Sequence, residues 1–138
     1  MPGRAFIDTN VLVYAVDEAD PAKKRLARTL LADTPELVLS AQVLGEFYVT
    51  VTRKLAVAVT PDTASELVKR LARLPCIAID QELVQRATVA SQRWQLSYWD
   101  ALVLEAARQA GCERILTEDL TDGAVYDGVR IENPFVVG

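Results

Sequence analysis

The chain opens on a short apolar run, Ala5-Phe6-Ile7, that ends on Asp8-Thr9-Asn10 and resumes as Val11-Leu12-Val13-Tyr14. A brief run of β-formers, a polar break and a second apolar run read as a buried strand, a turn and a helix starting at that turn. The pattern then repeats. Asp20-Pro21 opens a helix to about Ala32, with Leu26, Leu30 and Leu31 facing inward and Lys23, Lys24, Arg25 and Arg28 on the polar side. Leu37-Val38-Leu39 is a strand, and Ser40 caps a helix to about Lys54 with Leu44, Phe47, Tyr48, Val51 and Leu55 at core spacing. Thr60-Pro61 opens a further helix to about Leu74. Cys76–Ile79 is a strand, and Asp80 caps a helix ending near Trp94. Ser97 opens the next helix, which Gly111 closes, and Arg114–Thr117 is a strand ending beside Glu118-Asp119. Two Asp-Gly pairs, Asp122-Gly123 and Asp127-Gly128, form a loop before a last strand at Val129-Arg130-Ile131.

Strands alternating with helices at this spacing predict an α/β fold, a central parallel sheet flanked by helices. No repeat, linker or low-complexity segment divides the 138 residues, so a single domain over 1–138 is expected. No apolar run approaches a membrane span and no signal-like N-terminus is visible, which predicts a cytoplasmic protein without membrane contact. Cys76 and Cys112 lie in apolar settings and far apart, as reduced buried thiols do.

Composition narrows the chemistry. Histidine is absent, which removes Ser-His-Asp and Cys-His nucleophile systems and His-ligated zinc. An enzyme built from this chain would work with carboxylates and a metal ion. The formal net charge is −4, which by itself speaks against a nucleic-acid partner. A few clustered carboxylates would account for that excess, and bound divalent cations would reverse the local sign.

Four acids stand out. Asp8 ends a strand, where open α/β sheets bind ligands, although an N-cap is an equally simple account. Asp100 lies well around its helix from Glu105, which with Arg108 and Gln109 marks the solvated face, and its surface neighbours are Val103, Leu104 and Ala107. A carboxylate on an apolar side needs a partner or a role, and Ser97-x-x-Asp100 also fits a capping box. Asp119 repeats the position of Asp8 beyond another strand. Glu46 sits on a mixed helix face among Gln42, Val43, Val49 and Thr50. Asp80 shares the local context of Asp8 but runs straight into a helix, as a plain N-cap does.

Taken together, Phe6-Ile7-Asp8-Thr9-Asn10-Val11-Leu12-Val13-Tyr14-Ala15, Glu46, Ser97-Tyr98-Trp99-Asp100-Ala101-Leu102 and Leu116-Thr117-Glu118-Asp119-Leu120 resemble the PIN-domain family in order and spacing. Within that family the chain looks like the VapC toxins of bacterial toxin–antitoxin pairs, over essentially its whole length. The resemblance implies an acidic quartet at Asp8, Glu46, Asp100 and Asp119, with Asp8, Asp100 and Asp119 holding metal and Asn10 and Thr117 in support. Glu118 and Asp122 lie beside Asp119, so which of these acids reaches the metal stays open. It implies one or two Mg²⁺ or Mn²⁺ ions, which take oxygen ligands, and metal-assisted hydrolysis of RNA. It also implies a cognate antitoxin and a homodimer. Lys23, Lys24, Arg25, Arg28, Arg53 and Lys54 are candidates to track an RNA backbone. Two other readings stand beside this one. Asp8-Thr9-Asn10 loosely resembles the strand-end motif of haloacid-dehalogenase-type phosphatases but lacks their second acid, and a PIN-like fold without activity could serve as a protein-binding module.

Overall fold

The computed structural model describes residues 3–136. Strand β1 (Ala5–Ile7) runs into helix α1 (Thr9–Tyr14), then α2 (Pro21–Asp33) and β2 (Leu37–Ser40). Helices α3 (Ala41–Arg53) and α4 (Pro61–Leu71) lead to β3 (Cys76–Ile77). Helices α5 (Gln81–Trp94) and α6 (Tyr98–Gln109) precede β4 (Arg114–Leu116), and β5 (Val125–Tyr126) and β6 (Val129–Glu132) close the chain. All strands lie in one sheet of order β3-β2-β1-β4-β6-β5. Every neighbouring pair is parallel except β5 with β6. The expected α/β architecture is the observed one.

The order of the strands determines where a ligand can sit. From β1 the chain crosses outward to β2 and β3, then returns through α5 and α6 to lay β4 against the other side of β1. The connections therefore diverge between β1 and β4, and a crevice opens at the carboxyl ends of those two strands. Phe6 pairs with Ile115 and Ile7 with Leu116, so residues 8 and 117 leave the sheet side by side. The strands at the centre are buried on both faces. Phe6, Ile7, Leu39, Ile115, Leu116 and Ile131 are all within 1 % of full burial, as expected of a parallel sheet covered by helices.

Local chemistry sets the helix ends. Asp20, Ser40, Asp80 and Ser97 each accept a backbone N–H three residues on, as N-caps do. Gly111 follows the Ala110 C-cap at φ +72°, with Cys112 N–H donating to the Ala107 carbonyl and Gly111 N–H to that of Arg108. That pair of bonds closes the helix with a Schellman turn, where a side chain would strain the backbone.

The structure corrects several expectations. Glu105 is buried, not solvated, because Arg108 grips both its oxygens at 2.9 and 3.0 Å and Arg86 stands 3.8 Å away. Leu26 and Tyr48 are exposed rather than inward, and the buried positions of their helices are Ala27, and Val43, Phe47 and Val51. Cys76 is exposed because β3 is an edge strand, whereas Cys112 is buried; both thiols are free. The Asp127-Gly128 pair is a two-residue hairpin turn with both φ values positive, joining β5 to β6, the geometry such a pair favours. Among the described residues no helix is long and apolar enough to cross a membrane.

Candidate metal centre at the sheet crevice

Asp8 is the N-cap of α1, and its Oδ1 accepts the Thr9 N–H at 2.8 Å. No separate turn intervenes between strand and helix. The Asp8 N–H donates to the Leu116 carbonyl at 3.0 Å, and Thr117 N–H to that of Glu132 at 3.1 Å. The sheet ladder thus carries Asp8 and Thr117 into the crevice together. The Thr117 hydroxyl donates to Asp8 Oδ2 at 2.8 Å and accepts from Asn10 Nδ2 and the Asp119 N–H, each at 3.1 Å. Asn10 also donates to Asp8 Oδ2 at 3.4 Å, and its Oδ1 accepts the Glu118 N–H at 3.2 Å. One threonine and one asparagine therefore lock the loop after β4 onto the start of α1.

Glu46 approaches from α3. Its Oε2 accepts the Thr9 hydroxyl at 3.2 Å and its Oε1 accepts Gln42 Nε2 at 2.7 Å. Thr9 and Gln42 thus hold Glu46, a role that the sequence alone does not assign them. The Gln42 signal was its four-residue spacing from Glu46, a helix turn apart; Thr9 gave none beyond its place between Asp8 and Asn10. Asp100 lies in the first turn of α6, where its N–H donates to Ser97 Oγ at 3.1 Å. Ser97 is thus the cap, and Asp100 lies close enough to Asp119 and Glu46 for their charges to act on its carboxyl. A groove of about 360 Å³ brings Glu46 and Asp119 together with Thr9, Asn10, Tyr14 and Lys54, whereas Asp8 and Asp100 lie outside its lining.

The acids beside Asp119 are engaged elsewhere. Glu118 accepts the Tyr14 hydroxyl at 2.5 Å and Lys23 Nζ at 3.1 Å, and Asp122 accepts the Asn133 N–H at 2.9 Å. The basic candidates are likewise spread out. Lys23 is held by Glu118 over the Tyr14 and Phe135 rings, Lys24 pairs with Glu18, and Arg28 donates to the Ala15 carbonyl. Arg25 and Arg53 are exposed, and of the six only Lys54 lines the groove.

The electrostatics are one-sided. Burial pushes the Asp8 carboxyl up to about 6; bonds from Thr117 and Thr9 oppose that, and the charges of Asp119 and Glu46 add to it. Asp100 is raised by the same causes, burial first, with Ser97 opposing and Asp119 and Glu46 adding. Among the described residues no lysine or arginine pairs with Asp8, Glu46, Asp100 or Asp119. Carboxylates gathered without a cation carry mutual repulsion that a hard divalent ion relieves, and an all-oxygen donor set suits Mg²⁺ or Mn²⁺. Among the described residues no three acidic or thiol side chains already converge on one point. Occupancy therefore requires rotation of side chains, which exposed Asp119 makes at little cost.

Comparison with known proteins bears on the fold. A toxin–antitoxin complex from Klebsiella pneumoniae superposes with a TM-score of 0.71 at 23% identity, over 96% of this chain and 99% of that one. A VapC toxin of Mycobacterium tuberculosis that cleaves the sarcin-ricin loop gives 0.64 at 19% identity, over 83% and 89%. DNA-bound VapBC from Salmonella typhimurium gives 0.65 at 18% identity, over 97% and 99%. At such identities these likenesses concern the fold. No curated protein matches the sequence significantly. The PIN domain model matches residues 5–121, a span that includes all four acids, and the chain belongs to the PIN-domain family.

Proposed function

We propose that the chain is a metal-dependent endoribonuclease of VapC type, acting in the cytoplasm as one domain over 1–138 and as the toxin of a toxin–antitoxin pair. The observation that carries this reading is the set of acids without basic partners around the crevice between β1 and β4. Asp8, Asp100 and Asp119 would hold Mg²⁺ or Mn²⁺, as one or two ions. A bound ion of this kind supplies a water of lowered pKa and neutralises charge on the scissile phosphate. Asn10 and Thr117 fix the orientation of Asp8, and Thr9 and Gln42 fix that of Glu46. Glu46 is assigned the proton-accepting role, since Lys54 alone among the basic candidates shares its groove and does not neutralise it.

The phosphatase alternative falls with the family match. Asn10 also spends its amide on Asp8, Thr117 and Glu118, so it latches the loop rather than supplying acid or base.

Relatives of this fold have been crystallised as toxin–antitoxin complexes and bound to DNA. For this chain we assign an antitoxin partner whose arginine enters the acidic groove, where charge-assisted bonds to carboxylates are strong. The groove is lined by α1 and α3 and not by α2, so the antitoxin segment is assigned to the α1–α3 face.

The test is cleavage of a panel of single-stranded and hairpin RNAs by the pure protein. Cleavage should require Mn²⁺ or Mg²⁺, stop with EDTA and stop again on binding the antitoxin. Absence of cleavage together with absence of Mn²⁺ binding by calorimetry would leave a protein-binding module in its place.

A further inference from the structure

Trp99 is 61 % exposed although it belongs to the first turn of α6, directly before Asp100. Burying a large aromatic ring is normally favourable, so an indole left in water one residue from a candidate metal-holding acid is free to take a planar partner. Its ring is braced on one side, edge-to-face against Tyr98 with centroids 4.9 Å apart, and Tyr98 packs on the core. Its backbone is tied to the acids as well. Gln42 Nε2 reaches the Trp99 carbonyl at 3.5 Å while donating to Glu46 at 2.7 Å. The indole is thus an open aromatic surface one residue before Asp100, on a backbone within reach of the Gln42 amide that also holds Glu46.

We propose that Trp99 is a stacking platform for one unpaired base of the RNA, setting the register of the strand across the carboxylates. The inference rests on the ribonuclease reading above and names how that site would select its substrate. Every base has a π-face, and stacking on an exposed aromatic holds single-stranded nucleic acid without reading sequence. Backbone contacts are scarce beside this site, with Lys54 the one basic candidate lining the groove. A stacked base supplies a hold on the strand that does not depend on positive charge. It also favours unpaired segments, since a base within a duplex cannot present its face to the indole.

The experiment compares wild type with W99F and W99A on a short single-stranded RNA and on the same RNA carrying one abasic site walked along it. Trp99 is exposed, so neither substitution removes core packing. Stacking predicts that W99A raises KM about tenfold to a hundredfold with kcat nearly unchanged, and that W99F recovers most of the loss. One abasic position should raise KM for wild type and leave W99A unaffected. RNA added with Ca²⁺ in place of Mg²⁺ should quench tryptophan fluorescence in wild type and not in W99F. A wild-type KM for W99A, or equal abasic penalties in both proteins at every position, overturns the inference while the ribonuclease reading stands. A lowered sedimentation mass for W99A with unchanged KM also overturns it and makes the indole a contact between two copies. If wild type fails to cleave yet RNA still quenches Trp99, the platform stands and the catalytic reading falls. Failure of both cleavage and quenching overturns both.

Discussion

The Thr117 hydroxyl lies 2.8 Å from Asp8 Oδ2, and it has no hydrogen-bonding capacity left over. Its proton goes to Asp8 while its lone pairs take the Asn10 amide and the Asp119 N–H. The residue is fully buried, so water replaces none of these bonds. One small side chain at the end of β4 therefore orients an acid of β1 and the backbone of the next acid in sequence.

The expected consequence is separable by shape and chemistry. Thr117→Val keeps the volume and removes the hydroxyl, leaving buried Asp8 short of a donor and two amides without their acceptor, at a cost of about 1–3 kcal/mol. Cleavage should fall by at least about tenfold and Mn²⁺ affinity should drop, while Thr117→Ser retains both. If Thr117→Val binds Mn²⁺ as tightly as wild type, the hydroxyl does not orient the acid.

Asp100 tests whether capping or ligation is the residue's main work. Asp100→Asn preserves shape and the capacity to accept a bond from Ser97, and removes only the charge. We expect an unchanged melting temperature within about 2 °C, cleavage reduced by about a hundredfold or more, and weaker Mn²⁺ binding by calorimetry. Near-normal cleavage by the purified variant would reduce Asp100 to a helix cap.

Much of this was legible in the chain, and the reasons differ for what was not. Strand ends, caps and the parallel sheet follow from local signals, so Asp20, Ser40, Asp80 and Ser97 were readable as N-caps from their neighbours alone. The acids that gather in the crevice come from four separate segments, and only the family resemblance linked them. What escaped depends on contacts between elements. Glu105 looked solvated because a helical wheel sees polarity and not partners; its burial depends on Arg86 from α5 as well as on Arg108 a turn away. Cys76 looked buried because strand pattern does not say which strand lies at the edge. Thr9 looked like a turn residue because its partner, Glu46, is brought to it only by the packing of α3 on α1.

The Glu105 contact yields a stability prediction far from the crevice. Arg108→Ala leaves a carboxylate that is 3 % exposed with only Arg86, 3.8 Å away. Because the Arg108 side chain is itself 41% exposed, solvent screening discounts the pair, and a loss of about 1–3 kcal/mol in urea melts is expected. Cleavage per folded molecule should not change, since Arg108 is at the opposite end of α6 from Asp100. Arg93→Ala, whose partner Asp127 is 3.4 Å away and more exposed, should cost less. Equal losses in the two variants would show that burial of Glu105 does not govern the effect.

The acids also make stability depend on pH in a direction opposite to that of an ordinary paired carboxylate. Asp8 is raised from 3.8 to about 6, chiefly by burial, so the fold favours its neutral form. Its contribution is fully present below about pH 4 and is lost as pH rises through about 6, amounting to roughly 3 kcal/mol by pH 8. Asp100 shifts in the same direction for the same leading cause. Divalent cations reverse the effect, because they bind the ionised carboxylates and displace protons from them. Denaturant melts in EDTA should therefore show wild type losing stability relative to Asp8→Asn between about pH 4 and 6, with Mn²⁺ restoring it most strongly above pH 6. Mn²⁺ affinity should rise across the same interval and then level off. A wild-type protein whose EDTA stability relative to Asp8→Asn climbs over that interval would mean that Asp8 is ionised and favourably paired in the metal-free fold, and the case for a cation-seeking crevice would lose its electrostatic basis.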